Sequence, residues 1–462
     1  MPSRMHTPAS AVRRRLRRAL ITVLPALLVA CGGGSSDNPV PPPLTCDVAD
    51  QKAWLGDYFN EWYFWYKLSP TPDPALYPTL DGYFNALLYG GDASFPSDRY
   101  SYYQSTESFN LFYGDGKTLG YGLFVAGVEV EGQPEQPLRV RYIEPKSDAA
   151  AQGLVRGDEI VSVNGRPASE LIAANDYAIL SPAAEGEQLN LVVRGVSGER
   201  SLALTAEIYT LTPVSGASVV TTPAGRPMGY VMVKDMIDQA LPPLATAFAQ
   251  FKAQGVQDVV LDLRYNGGGR VAVGRSVASY VNGPLTSGNV YAQLLYNDKR
   301  AATNNQSFRF EDPKDPEGLS AALGLARVYV LTGPRTCSAS EQVINGLRPF
   351  VDVVTVGDTT CGKPVGFLPS SQCGNTYSVV NFESVNAANA GRYFDGFGPT
   401  CAAADDLSQP LGAPEEGLLA VARQHADTGS CPVGAQRERP QMRRLPGART
   451  TEPGDRQGMI AD

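Results

Sequence analysis

Histidine is almost absent from this 462-residue chain, which contains only His6 and His425. His6 falls in a stretch with the character of a cleaved leader, so one imidazole remains for the mature protein. A Ser-His-Asp triad and most zinc hydrolase sites require histidine. The scarcity argues against both kinds of site, and we expect neither a metal site nor a cofactor.

Acidic residues are missing from the first 30 positions, which carry six arginines and then the apolar run 19–30. A membrane-spanning helix needs about 20 apolar residues, so this shorter run is typical of a secretory leader. Residues 1–30 are therefore predicted to be a signal peptide that directs export.

The leader ends in Leu28-Val29-Ala30-Cys31, which resembles the lipobox of bacterial lipoproteins. The resemblance implies lipid attachment at Cys31. With Gly32 rather than Asp next, it also implies sorting to the outer membrane, on the periplasmic side. An ordinary signal peptide cut near Ala30 is the alternative. The Gly- and Ser-rich residues that follow are typical of a flexible tether.

Basic residues are also scarce once the leader is removed, because 33 then remain against 47 acidic residues. A net charge of −14 disfavours nucleic acid and anionic lipid as ligands, so we expect membrane association through the lipid alone. Besides Cys31 there are six cysteines, at 46, 337, 361, 373, 401 and 431. An even set in an exported protein indicates disulfides, and the sequence leaves their pairing open.

Composition and periodicity divide the chain into segments. Trp54, Tyr58, Trp62 and Trp65 recur at helical spacing and predict a small helical domain with an aromatic core. Further on, short strands give way to alternating strands and helices. The prediction is an α+β multidomain protein with a linker (31–45), a helical domain (46–116), a β-rich domain (117–209), an α/β domain (210–431) and a disordered tail (432–462).

Residues 147–165, with a short helix, a tight turn, a strand and an Asn-Gly turn, resemble part of a PDZ domain. The resemblance implies that Leu119, Gly120, Tyr121 and Gly122 form the loop that binds a peptide carboxylate. A neighbouring strand edge would pair with the peptide backbone. A PDZ domain that only packs against its neighbour is the alternative.

Ser338 opens the run Ser338-Ala339-Ser340-Glu341, which has the pattern of a helix capping box. The same position suits a nucleophile, because the unpaired N–H groups of a helix start can hold an oxyanion. Lys363 follows 25 residues later, in a largely apolar stretch. Burial lowers the pKa of a lysine, and a neutral amine can then take the serine proton.

Neither a Gly-x-Ser-x-Gly elbow nor a Ser-x-x-Lys motif is present. The runs 262–269 (DLRYNGGG), 338–341 (SASE) and 357–363 (GDTTCGK) instead resemble the carboxy-terminal processing, or tail-specific, serine peptidases. The resemblance covers about residues 46–431. It implies a crotonase-like α/β peptidase core after the PDZ domain, Ser338 as nucleophile and Lys363 as general base. The amides of Ala339 and Gly268 would form the oxyanion hole.

One position departs from that family, because Phe367 stands where many members carry a glutamine that orients the lysine. Either another polar group such as Gln372 replaces it, or packing alone positions Lys363. The expected function is a Ser/Lys endopeptidase that acts on proteins or peptides through an acyl-enzyme. The alternatives are a catalytically inactive peptide-binding adaptor and a Ser/Lys hydrolase of esters or small amides.

Overall fold

The computed structural model describes residues 41, 45–432 and 458–461. The predicted signal peptide and the predicted lipid site at Cys31 lie outside these residues. Within the described part of the chain, no helix is long and apolar enough to cross a membrane.

The N-terminal region is mainly helical, and polar side chains start its helices. Asp47 accepts a hydrogen bond from the Asp50 amide (2.9 Å), while Thr79 and Ser105 cap the next two helices. Such caps satisfy amides that have no partner inside the helix. The elements are α1 (Val48–Trp62), α2 (Leu80–Leu87), β1 (Tyr102–Ser105) and α3 (Thr106–Tyr113).

The predicted aromatic stripe is buried, and it packs against the C-terminal part of the chain. Trp54 packs on Tyr58 of its own helix and on Tyr377 of the C-terminal part, with ring centroids 5.1 and 5.2 Å apart. Strand β1 pairs antiparallel with Asn375–Ser378. One continuous apolar cluster joins these aromatic residues to the C-terminal core. The N-terminal helices and the C-terminal part therefore share one apolar core.

The predicted PDZ region has its own apolar cluster, which includes Val140, Ile160 and Leu191. Its strands pair antiparallel, and the strand Lys117–Gly120 pairs with Glu207–Thr210 in a separate two-stranded sheet. The elements are β2 (Lys117–Gly120), β3 (Leu123–Val125), β4 (Leu138–Ile143), α4 (Asp148–Ala151), β5 (Glu159–Val163), β6 (Arg166–Pro167), α5 (Ala168–Ala174), β7 (Gln188–Gly195), β8 (Gly198–Thr205) and β9 (Glu207–Thr210).

The C-terminal part is built on two six-stranded sheets with helices packed against them. Its helices are α6 (Leu241–Ala253), α7 (Val271–Ser279), α8 (Ala301–Asn304), α9 (Ala339–Leu347) and α10 (Gly417–Thr428). Its strands are β10 (Val214–Thr221), β11 (Pro227–Val233), β12 (Asp258–Asp262), β13 (Gly268–Arg270), β14 (Val290–Tyr296), β15 (Gln306–Arg309), β16 (Arg327–Thr332), β17 (Asp352–Gly357), β18 (Val365–Phe367), β19 (Ser370–Gln372), β20 (Asn375–Ser378), β21 (Val380–Val385), β22 (Cys401–Ala402) and β23 (Gly458–Ile460).

The strand order of the first sheet places the glycine run and Ser338 at the same edge of that sheet. The first sheet runs β10-β11-β12-β16-β17-β22 and is parallel from β11 onward. The glycine run follows β12, and Ser338 follows the adjacent strand β16. Since parallel neighbouring strands end at the same edge, the two segments meet there. The second sheet runs β13-β23-β18-β21-β14-β15 and contributes the strand after Lys363.

Two sequence expectations differ from the structure. The tail 432–462 was predicted to be disordered, yet residues 458–460 form a strand, because neighbouring strands supply the backbone partners that local sequence cannot. From the sequence, His425 is expected on a surface helix over 414–426, but it is buried on α10 with its Nδ1 3.0 Å from the hydroxyl oxygen of Tyr329. The six cysteines pair as 46–373, 337–361 and 401–431.

Candidate active site

Ser338 stands at the sharp turn between β16 and α9, and it is fully buried. Its backbone has φ 61° and ψ −116°, a conformation that non-glycine residues rarely adopt. Within the described residues its Oγ makes no hydrogen bond. A strained strand-to-helix turn that presents an unbonded hydroxyl at a helix start is the geometry expected of a nucleophile.

The carboxylate of Glu341 links the turn of Ser338 to the loop of Lys363. Its Oε2 accepts hydrogen bonds from the Ser338 amide (2.9 Å) and from the Lys363 amide (2.8 Å). Its Oε1 accepts from the Gly362 amide (2.8 Å) and the Thr360 hydroxyl (2.5 Å). The Ser338 and Lys363 backbones therefore lie within two hydrogen-bond lengths of each other. Glu341 completes one half of the predicted capping box and also binds a second loop.

A disulfide connects the same two loops. Cys337 precedes Ser338, and Cys361 lies two positions before Lys363, so the Cys337–Cys361 bond flanks the candidate pair. The sequence offered these cysteines as disulfide candidates without indicating their partners. Their pairing closes a short loop and restricts the separation of the two candidate residues.

Lys363 is fully buried, and its environment favours the neutral amine. Burial lowers its pKa well below the ordinary value of 10.5, although the charges of Asp98 and Glu341 act in the opposite direction. Its Nζ lies 3.9 Å from the ring centroid of Phe367 and 5.6 Å from that of Tyr100. An apolar, aromatic surrounding of this kind suits a lysine that must accept a proton.

Phe367 thus forms part of the wall around the lysine amine. Its own ring is buried and packs edge-on against Tyr102, with centroids 5.7 Å apart. Gln372, considered from sequence as a substitute polar group, lies on β19 opposite Asn375 in the three-stranded sheet. The lysine amine is therefore contacted by an aromatic ring at the position where the resemblance implied a glutamine.

The residues predicted for the oxyanion hole lie beside Ser338. A β-carbon placed on Gly268 would lie 2.9 Å from Ser338 Cβ and 3.0 Å from the Ala339 nitrogen, so only glycine fits there. Ala339 is in the first turn of α9, where an amide has no partner within the helix. The Gly268 amide donates to Asn266 Oδ1 at 2.7 Å. The structure thus places both predicted residues at the nucleophile, with the amide of Gly268 engaged by Asn266.

Asn266 is a buried residue that sequence reasoning did not single out. Its side-chain nitrogen donates to the Val233 backbone carbonyl (2.9 Å). Its backbone carbonyl oxygen accepts from Ser340 Oγ (3.0 Å) and from the Cys337 amide (3.1 Å). It therefore connects the glycine run to the turn of the nucleophile. Its position directly before three glycines was the available sequence signal.

The predicted peptide loop of the PDZ region is ordered by its own domain. Leu119 and Gly120 belong to β2, while the carbonyl oxygens of Tyr121 and Gly122 accept hydrogen bonds from the Ala149 amide (3.1 Å) and the Glu144 amide (2.9 Å). Gly122 has φ 78°, and a β-carbon there would lie 1.9 Å from Ser147 Oγ. The glycine is needed for this close packing, and the carboxylate-binding role stays a prediction.

The PDZ region also contacts the turn that carries the nucleophile. Arg335, three positions before Ser338, donates from Nε to Glu129 Oε1 at 3.1 Å. Glu129 lies in a short 3-10 helix, Val128–Val130, of the PDZ region. Arg335 is buried, so this ion pair is shielded from solvent on one side. The ion pair therefore joins the PDZ region to the turn that precedes Ser338.

Comparison with known proteins agrees with this arrangement. Residues 227–383 match the model of peptidase family S41, residues 50–102 match the peptidase S41 N-terminal domain, and residues 117–194 match the PDZ domain. A solved structure from Bacteroides fragilis, assigned to the S41 proteases, superposes with a TM-score of 0.61 at 25% identity. It covers 81% of this chain and 97% of the other.

Curated relatives include carboxyl-terminal-processing peptidase 3 of Arabidopsis thaliana, which is 28% identical over 54% of this chain and 46% of its own length. The carboxyl-terminal-processing protease of Synechocystis is 25% identical over 56% and 58% respectively. The chain thus spans about half the length of the curated relatives that it matches. Fold, site and comparisons agree that residues 227–383 are similar to the serine-type peptidases of family S41 and that residues 117–194 are similar to a PDZ domain. The predicted α+β organisation is confirmed.

Proposed function

We propose that this protein is an endopeptidase that uses Ser338 as nucleophile and Lys363 as general base. The observation that carries the proposal is the carboxylate of Glu341, which holds the Ser338 and Lys363 backbones together beside a buried amine. The amine has a lowered pKa, and the hydroxyl oxygen makes no hydrogen bond within the described residues.

The reaction follows from these groups. The neutral Lys363 amine takes the Ser338 hydroxyl proton as Oγ attacks the substrate carbonyl carbon, and the carbonyl electron pair moves to oxygen. Backbone N–H groups at the start of α9 stabilise that oxyanion. The carbon–nitrogen bond then breaks, and the protonated lysine gives its proton to the leaving amine. Water hydrolyses the resulting acyl-enzyme with the lysine again as base.

The PDZ region supports a role in substrate selection or access. It lies in ion-pair contact with the nucleophile turn through Arg335 and Glu129. We propose that it recognises protein or peptide C-termini or regulates entry to the site. The sequence around Cys31 supports the further proposal that the protein is exported and held by a lipid at the periplasmic face of the outer membrane.

The test is turnover of fluorescein-labelled casein and of p-nitrophenyl acetate by the purified protein. Ser338→Ala and Lys363→Ala should each reduce casein cleavage by about 10⁴-fold or more, because a nucleophile and its base act as a unit. Ser408→Ala and Lys67→Ala, which alter exposed side chains, serve as matched controls. Near-normal cleavage by either site variant would refute the Ser/Lys assignment.

The same assay separates the alternative functions. Turnover of the ester without cleavage of casein would indicate a hydrolase of esters or small amides. Binding of peptides without any turnover would indicate an inactive adaptor. A fluorophosphonate probe that labels the native protein but not Ser338→Ala would establish the nucleophile independently of the substrate.

A further inference from the structure

The strand β23 lies inside the candidate active site. It is inserted between β13 and β18 and runs parallel to both, with Gly458 opposite Gly268 and Ile460 opposite Phe367. The Gly458 amide donates to the Gly267 carbonyl (3.1 Å), and the Ala461 amide donates to the Phe367 carbonyl (2.9 Å). Within the described residues, this segment thus lies between the glycine run and the strand after Lys363 and joins them in one sheet.

The side chains of the segment are as enclosed as those of a domain core. Met459 is fully buried, and its sulfur lies 3.6 Å from Gln342 Nε2 of α9. Ile460 is 3% exposed and belongs to an apolar cluster with Phe112, Tyr113, Tyr209, Leu211 and Ile237. A β-carbon at Gly458 would lie 2.7 Å from the Tyr113 hydroxyl oxygen. The segment therefore places a glycine beside the Tyr113 hydroxyl, followed by two apolar side chains in enclosed positions.

The segment also brings a peptide carbonyl to the nucleophile. The point that a β-carbon of Gly268 would occupy is 2.1 Å from the Gly458 carbonyl oxygen and 2.9 Å from Ser338 Cβ. The Ala339 nitrogen lies 3.0 Å from that same point. A substrate must place its scissile carbonyl beside the Ser338 side chain and the Ala339 amide, so a substrate and this segment compete for the same space.

We propose that residues 458–461 act as an intramolecular pseudosubstrate, which competes with peptide substrates for the groove between β13 and β18. The groove accepts its occupant as a strand parallel to both neighbours, with glycine beside Ser338 and apolar residues at the next two positions. Binding of this segment would inhibit the protein's own activity, and that consequence rests on the proposed function. The binding itself does not depend on catalysis.

The first test compares the full chain with the double variant Met459→Asp/Ile460→Asp, in which burial of two carboxylates prevents docking of the segment. If the segment fills the groove in about nine molecules of ten, the KM for labelled casein should fall about tenfold with kcat unchanged. The matched control, Met459→Leu/Ile460→Val, keeps the apolar positions and should behave like the native chain. Equal KM values for all three proteins would overturn the proposal.

A second test measures binding without activity. In a Ser338→Ala background, a fluorescein-labelled Gly-Met-Ile-Ala peptide should bind the double variant about tenfold more tightly than the otherwise native chain, by fluorescence anisotropy. Failure of the peptide to bind the double variant would overturn the inference even if casein cleavage is normal. Peptide binding with this difference, together with no turnover by any form, would support the inference and refute the proposed function.

Discussion

The side-chain nitrogen of Lys363 lies 3.9 Å from the centroid of the Phe367 ring. The contact puts an apolar surface against the group that must become neutral to act as a base. A glutamine at this position would accept a hydrogen bond from the charged amine, whereas the ring contributes to excluding water from it. The departure from the family pattern is therefore compatible with a lysine of lowered pKa.

Phe367→Gln should shift the pH dependence of kcat to higher pH. Burial holds the Lys363 pKa below 10.5, so the neutral, active fraction increases as pH rises through that lowered value. A polar amide beside the amine stabilises the charged form and raises the pKa again. The measurement is the pH profile of casein cleavage, with Phe367→Leu as a control that keeps this position apolar. If the rise of kcat with pH in Phe367→Gln stays in place or moves to lower pH, the ring does not keep the Lys363 pKa low.

His425→Gln should leave that profile unchanged. His425 is buried beside Tyr329, and Tyr329 belongs to an apolar cluster distinct from the cluster that contains Phe367. Burial lowers the His425 pKa below 6.5, so its titration would affect the acidic side of a profile and not the alkaline limb. The same cleavage assay measures both variants. Disappearance of the alkaline-rising limb in His425→Gln would assign the base to histidine.

Glu341→Gln should reduce kcat far more than it changes KM. The buried carboxylate accepts four hydrogen bonds from N–H and O–H donors. In glutamine, an NH₂ group replaces one of the two acceptor oxygens and would face donors that then have no acceptor. We expect a loss of about 1–3 kcal/mol in the free energy of unfolding, because a buried partner is left unsatisfied. Thermal unfolding and steady-state kinetics measure the two effects, with the exposed Glu199→Gln as control. A change confined to KM would show that Glu341 does not position the pair.

Removing two different disulfides should affect stability and activity differently. Replacing Cys337 and Cys361 by serine should lower kcat, because their bond ties the Ser338 turn to the Lys363 loop. In the chain-entropy model that bond contributes about 3 kcal/mol, and the much longer loop closed by Cys46 and Cys373 contributes more. The Cys46/Cys373 double serine variant should therefore unfold more easily yet retain kcat. Equal loss of kcat in both variants would contradict a specific role for Cys337–Cys361.

Cys31→Ser should yield a protein that no longer partitions into detergent or membrane fractions. A cysteine thiol is the site of lipid attachment in the lipobox that residues 28–31 resemble. Phase partition in Triton X-114 and mass spectrometry of the N-terminal peptide measure the anchor, and Ser36→Ala is the control. Unaltered membrane association of the Cys31→Ser protein would refute the lipid anchor.

Sequence alone was most informative where a feature depends on a few neighbouring residues. The sequence pattern of residues 138–143 predicts a strand and that of residues 241–254 predicts a helix, and these segments are β4 and α6 in the structure, because apolar periodicity depends only on neighbouring residues. Ser338 at a helix start and Lys363 in an apolar stretch are equally local, and their type and order indicated the chemistry. The glycine run was recognisable because close backbone approach requires glycine.

The tertiary structure alone decided which distant residues meet. It showed that Glu341, recognisable from sequence only as a capping residue, also binds the Lys363 loop, and that Cys337 pairs with Cys361. It packed the Trp54 stripe on the peptidase core, and it placed a strand at Gly458–Ile460 in a tail whose composition predicted disorder. These contacts join residues far apart in the chain. Their stability comes from partners that no local pattern specifies, and so they follow from the fold and not from the sequence of any one segment.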